Sequence, residues 1–301
     1  MGSEELKGTL DTSNAAQRIF MELLSAVEGI VEPTAKTEEV APDVAYMRAL
    51  IVNVCFIGPA GAPRGGWTLI DAGLPGSANI IVDGAKKRFS PTTKPAAIVL
   101  THGHFDHVGA LDILEGLWDV PIYAHEAELP FLTGKMNYPT PDPSVDAGIM
   151  ARMSPLYPEE AINLGDRVHP LPADGSIPTM PDWRWIHTPG HTPGHIILFR
   201  ESDRVMIIGD AFTTVDQESA EAFIPMLRKK VHGPPKYFTI DWNQAWESVK
   251  TIELLKPSIV IPSHGQPMSG MQLQRELYRL AHDFDKTAIP ERGRYVPKSH
   301  I

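Results

Sequence analysis

The sequence predicts an α+β fold in which strands and helices alternate along most of the chain. Residues 96–100 form a short, continuously apolar run, which is typical of a buried strand. Residues 108–117 follow with apolar positions three and four apart, which is typical of a helix that packs by one face. Histidines and aspartates cluster next to several such apolar runs. These observations predict a sheet with its functional histidines and aspartates at the ends of the strands.

The predicted elements begin with a helix over 13–29 that shows an apolar face and carries acidic residues, so it is not a secretion signal. Strand-like sequence follows over 44–57, and a glycine-rich loop over 58–66 leads to a strand that ends at Asp71. The remaining predicted elements are helix 77–89, strand 96–100, helix 108–117, strand 120–124, strands 196–199, 205–209 and 259–263, and helices 243–255 and 270–285.

Composition and charge restrict the classes of function. The 301 residues carry a net charge of −10, which argues against a nucleic-acid partner because such proteins usually present a basic face. The single cysteine permits no internal disulfide and fits a reducing, cytoplasmic location. No apolar run approaches the length of a membrane span, so no membrane partner is expected. We expect an N-terminal extension over 1–30, one catalytic domain over 31–285 and a tail over 286–301.

The densest group of metal-binding side chains lies between the predicted strand 96–100 and the helix after it. His102, His104, Asp106 and His107 fall within six residues. Imidazole and carboxylate groups bind Zn²⁺ and similar divalent ions. His102 and His104 are two residues apart, so in an extended chain they point to one side, whereas His107 follows a turn. This division predicts two neighbouring metal ions; the alternative is a polar turn, which would normally use Asn, Gly and Ser.

Three later stretches offer the missing ligands. A loop over 187–195 contains His187, His191 and His195 just before a predicted strand. Asp210 ends one apolar strand and His264 ends another. Each therefore lies where a strand begins or ends, as a site at a sheet edge requires. Spacing alone does not decide between His191 and His195.

In this order of motifs the chain resembles the metallo-β-lactamase-fold hydrolases. Their signature is H-x-H-x-D-H, then a histidine in a T-P-G-H-T-like loop, an aspartate after a strand and a late histidine. The resemblance covers roughly residues 45–270 and implies a four-layer αββα sandwich of two mixed β-sheets flanked by helices. Asp71 matches an early aspartate that supports the site. The residues that match the ligand positions are His102, His104, Asp106, His107, His191, Asp210 and His264.

The resemblance also implies how two ions would be held. His102, His104 and His191 would bind one ion, Asp106, His107 and His264 the second, and Asp210 both. His195 and Asp71 would orient the ligands rather than bind metal. The expected ions are Zn²⁺, with Mn²⁺ or Fe²⁺ as alternatives.

The activity implied is hydrolysis of a small molecule by a hydroxide that bridges two ions, with Asp106 and Asp210 as the catalytic carboxylates. A small carbonyl ester, lactone or thioester is the expected substrate. Phosphodiester or organophosphate hydrolysis is an alternative on the same site. The pattern also allows an iron-dependent oxidoreductase, similar to persulfide dioxygenases, or a non-catalytic metal-binding protein. Many lactonases place a tyrosine soon after the bridging aspartate. Here Ala211 and Phe212 follow Asp210, so that tyrosine is absent or comes from elsewhere in the chain.

Two stretches are candidates for the walls of a substrate pocket. Residues 130–165 are proline-punctuated and interrupt the predicted sheet, which predicts a lid or wall. The alternatives are a solvated insertion or the contact of a homodimer. The region after Asp210 is the second candidate wall. Its basic run over 228–230 would suit an anionic substrate, and the commoner alternative is a solvated surface run. The large apolar residues of that region are Phe212, Phe223, Met226, Tyr237, Phe238 and Trp242.

Overall fold

The computed structural model describes residues 35–145, 148–157, 162–217 and 229–298. The predicted helix over 13–29 lies outside these residues, as do Phe223, Met226 and Arg228 from the second candidate wall.

The first half of the chain forms a seven-stranded mixed sheet in which the strands lie in sequence order. The first four strands pair antiparallel, and the last four pair parallel through helical connections. This sheet ends at Pro170. The strands are β1 Glu38–Ala41, β2 Val44–Ala49, β3 Val52–Ile57, β4 Thr68–Ile70, β5 Ala97–Val99, β6 Ile122–Ala124 and β7 Val168–Pro170.

The second half forms a five-stranded sheet. Its strand order is β12-β11-β10-β9-β8, and the sheet is mixed because β10 and β11 pair parallel while the remaining neighbours pair antiparallel. The strands are β8 Trp183–His187, β9 Ile196–Arg200, β10 Val205–Gly209, β11 Ile259–Pro262 and β12 Met268–Ser269.

Helices cover the outer faces of the two sheets. Short 3₁₀ turns occur at Glu126–Glu128, Ser154–Leu156 and Gly165–Arg167. The α-helices are α1 Ala78–Arg88, α2 Phe105–Val108, α3 Leu111–Trp118, α4 Leu129–Leu132, α5 Ile149–Met153, α6 Trp242–Leu254, α7 Gly270–His282 and α8 Phe284–Thr287.

Three apolar clusters define the layers. One joins the first sheet to α1 and α3, with Phe56, Ile81 and Leu114 among its members. A second joins the second sheet to α6 and α7. The third lies between the sheets, with Ile70 and Ile207 among its members. The predicted αββα sandwich is therefore confirmed, because each sheet buries one face on helices and the opposite face on its partner sheet.

The helix predicted over 108–117 is interrupted, and this part of the prediction is wrong. α2 ends at Val108 and α3 begins at Leu111. The N–H of Gly109 donates to the carbonyl of Gly73 at 2.8 Å instead of to its own helix. A Cβ at Gly109 would lie 2.2 Å from the backbone nitrogen of Pro75. A close tertiary contact therefore overrides the helical pattern at this point.

We expect Gly109→Ala to destabilise the protein by about 3 kcal/mol, because the methyl group would meet backbone that cannot move aside. Urea unfolding followed by circular dichroism measures this change. Gly116→Ala in α3 is the matched control, since a Cβ there has no atom within 4 Å. The control should be neutral or stabilise by about 0.5–1 kcal/mol. Equal stability of both variants would contradict the contact at Gly109.

Within the residues described, no helix combines the length and apolar character needed to cross a membrane.

Candidate metal centre

The site residues predicted from sequence converge at the ends of strands from both sheets. Four of them, from His102 to His107, lie in the loop after β5 and the first turn of α2. Asp210 follows β10, His264 follows β11, and His191 lies in the loop before β9. All seven side chains belong to buried residues. They form three overlapping groups of three residues whose ligand atoms lie within 4.8 Å of one another. One of these, His102, His107 and Asp210, shares His102 and His107 with the other two groups, which are described in turn.

The first group contains His102, His104 and His191. The Nε2 atom of His102 lies 3.1 Å from Nδ1 of His104, which in turn lies 3.0 Å from Nε2 of His191. Three imidazoles therefore direct nitrogen atoms at one point, the arrangement that a divalent ion with nitrogen ligands requires.

The second group contains Asp106, His107 and His264. The Oδ2 atom of Asp106 lies 3.3 Å from Nε2 of His264, and its Oδ1 atom lies 3.8 Å from Nε2 of His107. This group contains one carboxylate, so its ligand set differs from that of the first.

Asp210 lies between the two groups. Its Oδ2 atom is 3.3 Å from Nε2 of His191 and 3.7 Å from Nε2 of His107, while its Oδ1 atom is 3.5 Å from Nε2 of His264. One carboxylate is therefore within reach of both groups.

Two atoms of the cluster test whether metal ions fit. Nε2 of His107 and Oδ1 of Asp210 are buried, and neither has a hydrogen-bond partner among the described residues. An unpaired buried polar atom is costly, and a divalent cation would satisfy both the imidazole lone pair and the carboxylate oxygen. The donor set of buried imidazoles and carboxylates thus fits divalent metal ions.

The protonation of the two groups differs. Burial lowers the pKa of His102 and of His104 well below the usual value, and the neighbouring histidines add to this effect. Burial also acts to lower the pKa of His107 and His264, but nearby carboxylates outweigh it and raise the pKa of His264 to about 10. His102 and His104 are therefore held in the neutral form that binds metal, whereas metal binding at His107 and His264 must release protons.

Asp71 and Thr101 fix the orientation of His107. The Oδ1 atom of Asp71 accepts a hydrogen bond from the N–H of Thr101 at 2.8 Å, and its Oδ2 atom accepts one from the Thr101 hydroxyl at 2.8 Å. The same Oδ2 atom lies 2.9 Å from Nδ1 of His107. A proton on Nδ1 leaves Nε2 free to face the cluster, which is the usual way a carboxylate orients a metal-binding histidine.

His195 contacts backbone rather than the imidazole nitrogens of the cluster. Its Nδ1 lies 3.0 Å from the carbonyl oxygen of Thr188, and its Nε2 accepts a hydrogen bond from the N–H of Asp210 at 2.9 Å. Burial, with a smaller contribution from His191, lowers the pKa of His195 to about 3. His195 therefore positions Asp210, while His187 is exposed and bonds to the carbonyl of Pro193.

The sequence analysis missed Asn53, which anchors the loop of His264. Its Nδ2 donates to the carbonyls of Pro262 and Gly265 at 2.8 and 2.7 Å. Nearby, the carbonyl of Ile51 lies 3.1 Å from Nδ1 of His264. The available signal was an asparagine inside the otherwise apolar strand β3, since a buried amide needs partners. Glu128, a buried carboxylate close to the first ligand group, was missed as well.

Aromatic side chains form a wall beside the first ligand group. The ring of Phe238 stacks on that of His104 with centroids 4.4 Å apart, and the ring of Tyr138 lies 4.6 Å from His104. Tyr157 contacts both Phe105 and Phe238. The segment 130–165 therefore supplies two rings, Tyr138 and Tyr157, to this wall.

Two residues of the second candidate wall lie elsewhere. Tyr237 and Phe238 belong to the cluster beside the site, as the sequence predicted. Phe212 and Trp242 are instead buried in the core between the second sheet and its helices. Their place in the wall was wrongly predicted, because an apolar residue near a site in sequence can equally well face the core.

The C-terminal tail is attached to the wall. The backbone N–H of Arg294 donates to the carboxylate of Asp142, and the hydroxyl of Tyr295 donates to the carbonyl of Thr140 at 2.8 Å. The N–H of Asp142 donates to the carbonyl of Tyr237 at 2.8 Å. The segment containing Asp142 is thus held on both sides.

Comparison with known proteins agrees with the fold and the cluster, which together define a metal-binding αββα protein. Residues 47–264 match the sequence profile of the metallo-beta-lactamase superfamily. A relative from Bacillus subtilis (strain 168), the probable metallo-hydrolase YflN, is 45% identical over 244 residues, covering 81% of this chain and 92% of its own. The chain therefore belongs to the metallo-beta-lactamase superfamily, whose fold implies divalent metal binding.

Further similarities are weaker. Hydroxyacylglutathione hydrolase GloC of Haemophilus influenzae is 30% identical over 113 residues, covering 38% of this chain and 48% of its own. Among solved structures, a beta-lactamase domain protein from Burkholderia ambifaria superposes with a TM-score of 0.57 at 23% identity, covering 84% of this chain and 77% of its own. Such structural likeness supports the fold alone.

Proposed function

We propose that this protein is a dinuclear metal-dependent hydrolase that cleaves a small carbonyl ester, lactone or thioester. The observation that carries the proposal is the position of Asp210 between two ligand groups. In this assignment His102, His104 and His191 would hold one ion, Asp106, His107 and His264 would hold the second, and Asp210 would be shared between them. The name of the relative YflN supports metal-dependent hydrolysis as the general activity.

Bound divalent ions would supply a Lewis acid and lower the pKa of water toward about 7. The protein itself provides the carboxylates and holds them in position. Asp106 belongs to the second ligand group, with its Oδ2 atom 3.3 Å from Nε2 of His264, and a carboxylate can accept and donate a proton. We assign it the delivery of a proton to the leaving group. Asp71 and His195 keep His107 and Asp210 in place.

The apolar side chains beside the site support a substrate with an apolar part. Partly buried apolar side chains from the β2–β3 hairpin, the α2 turn and the segment 130–165 pack around the aromatic wall. Such surfaces favour apolar acyl groups over highly charged substrates. The partial relative named a hydroxyacylglutathione hydrolase supports the inclusion of thioesters. The partly buried side chains are Leu50, Ile51, Phe105, Met153 and Leu156.

The test is metal analysis by plasma mass spectrometry combined with a substrate screen on the same sample. We expect about two ions per chain, zinc first among them, and hydrolysis of lactones, esters or thioesters that stops when a chelator removes metal. The screen includes phosphodiesters and organophosphates, because their cleavage would replace carbonyl compounds as the proposed substrate class. One iron per chain, oxygen consumption and no hydrolysis would contradict the proposal and favour an iron-dependent oxidoreductase.

A further inference from the structure

Glu128 has a buried carboxylate that accepts four hydrogen bonds. Its Oε1 atom accepts from the hydroxyl of Thr192 and from the N–H of Gly194, both at 2.7 Å. Its Oε2 atom accepts from the N–H of Gly103 at 3.0 Å and from the hydroxyl of Tyr138. The residue is 0% exposed, so the carboxylate itself lies away from water. A carboxylate that accepts from several donors makes strong, charge-assisted bonds.

These donors belong mainly to the two loops that carry the first ligand group. Gly103 lies between His102 and His104, and Thr192 is next to His191. The two loops are far apart in sequence, yet one side chain joins them. The four bonds of Glu128 reach these two loops and Tyr138, and none of the four reaches a residue of the second ligand group.

Glycines in both loops make room for this side chain and its partner. A Cβ at Gly103 would lie 2.5 Å from the hydroxyl of Tyr138, and a Cβ at Gly194 would lie 2.8 Å from Cγ of Glu128. Neither position has the positive φ that commonly demands glycine. Close approach of the Glu128–Tyr138 pair, together with Leu132 against Gly103, therefore leaves no room for a Cβ at either position.

We propose that Glu128 is a positioning residue of the metal centre, which holds His102, His104 and His191 in register by joining their two loops. The inference rests on the proposed assignment of those three histidines to one ion. Without the carboxylate, the loop donors would lose their acceptor, and the loops would shift to find new ones. Metal affinity should then fall at the first group and stay unchanged at the second.

The test is cobalt binding to Glu128→Gln, a variant of nearly the same size. Titration of the metal-free protein with Co²⁺, followed by visible absorption and by competition with a chelator, reports each site separately. We expect the affinity of one site to fall about tenfold, with a changed absorption spectrum for that ion, while the second site keeps its affinity. Tyr138→Phe removes one donor and should produce a smaller change of the same kind.

Glu276→Gln is the matched control. Glu276 is a partly buried carboxylate in α7 that accepts from the N–H of Val231 at 2.8 Å, so it loses a comparable bond outside the site. Its cobalt titration should equal that of the parent. If Glu128→Gln does not fold, Thr192→Val deletes one donor to the same carboxylate and should weaken the same site.

The outcomes separate this inference from the proposed function. The parent titration tests whether two ions bind at all, and the ratio of variant to parent affinity tests Glu128. A folded Glu128→Gln variant with both cobalt sites unchanged would overturn the inference. Equal weakening of both sites would also overturn it, because that result indicates a general loss of structure.

Discussion

Asp210→Asn is expected to reduce hydrolysis by more than about 100-fold and to leave fewer than two ions per chain, a larger loss than outer-shell substitutions usually cause. The reason is that Asp210 approaches both ligand groups, with its Oδ2 3.3 Å from His191 and its Oδ1 3.5 Å from His264. An amide keeps the size of the side chain but removes the negative charge. Plasma mass spectrometry and hydrolysis rates measure the two effects.

Asp112→Asn is the control for this variant, because Asp112 is an exposed acid in the first turn of α3. It should keep the metal content and the rate of the parent. Circular dichroism should show that both variants are folded. If Asp210→Asn hydrolyses substrate at the parent rate, the assigned centre is wrong.

Asp71→Asn is expected to lower metal affinity and activity by about 10- to 100-fold, the range found for residues that orient metal ligands. Asp71 has a φ of 59°, in the left-handed region that asparagine tolerates well, so the backbone should not change. The variant therefore isolates the loss of the carboxylate that orients His107. Chelator competition should place the loss at the second ligand group, the opposite of the result expected for Glu128→Gln.

Asp119→Asn controls for the backbone conformation. Asp119 also has a positive φ, 46°, but it lies exposed at the end of α3, away from the centre. Its metal titration should match the parent. A similar loss of affinity in both variants would show that the effect arises from the left-handed position and not from the bond to His107.

The sequence predicted the fold because the apolar runs and the helical periodicity are local signals. The order of strands and helices follows those patterns, and the motif H-x-H-x-D-H limited the topology to one superfamily. The break at Gly109 could not be predicted in the same way. It results from contact with Pro75, a residue distant in sequence, and no local pattern encodes that contact.

The residues of the candidate centre were likewise predicted where the signal is local and missed where it is not. The seven ligand-type residues were found because spacing and strand ends bring such side chains together, and their role as ligands stays a prediction. Glu128, Asn53 and the attachment of Arg294 to Asp142 were missed because each depends on a partner in another element. The choice of His191 over His195 depends likewise on the backbone contacts of His195.

Asn53 bonds to partners 209 and 212 residues further along the chain. These bonds can therefore form only late in synthesis, after the second half of the chain has been made. At roughly 5–20 residues per second, a ribosome needs on the order of 10–40 s to extend a nascent chain by that distance. During that interval the histidines of the first half emerge without Asp210, His264 or the anchor that Asn53 provides. Under the proposed assignment, binding of two ions would therefore have to wait until the second sheet has closed onto the first.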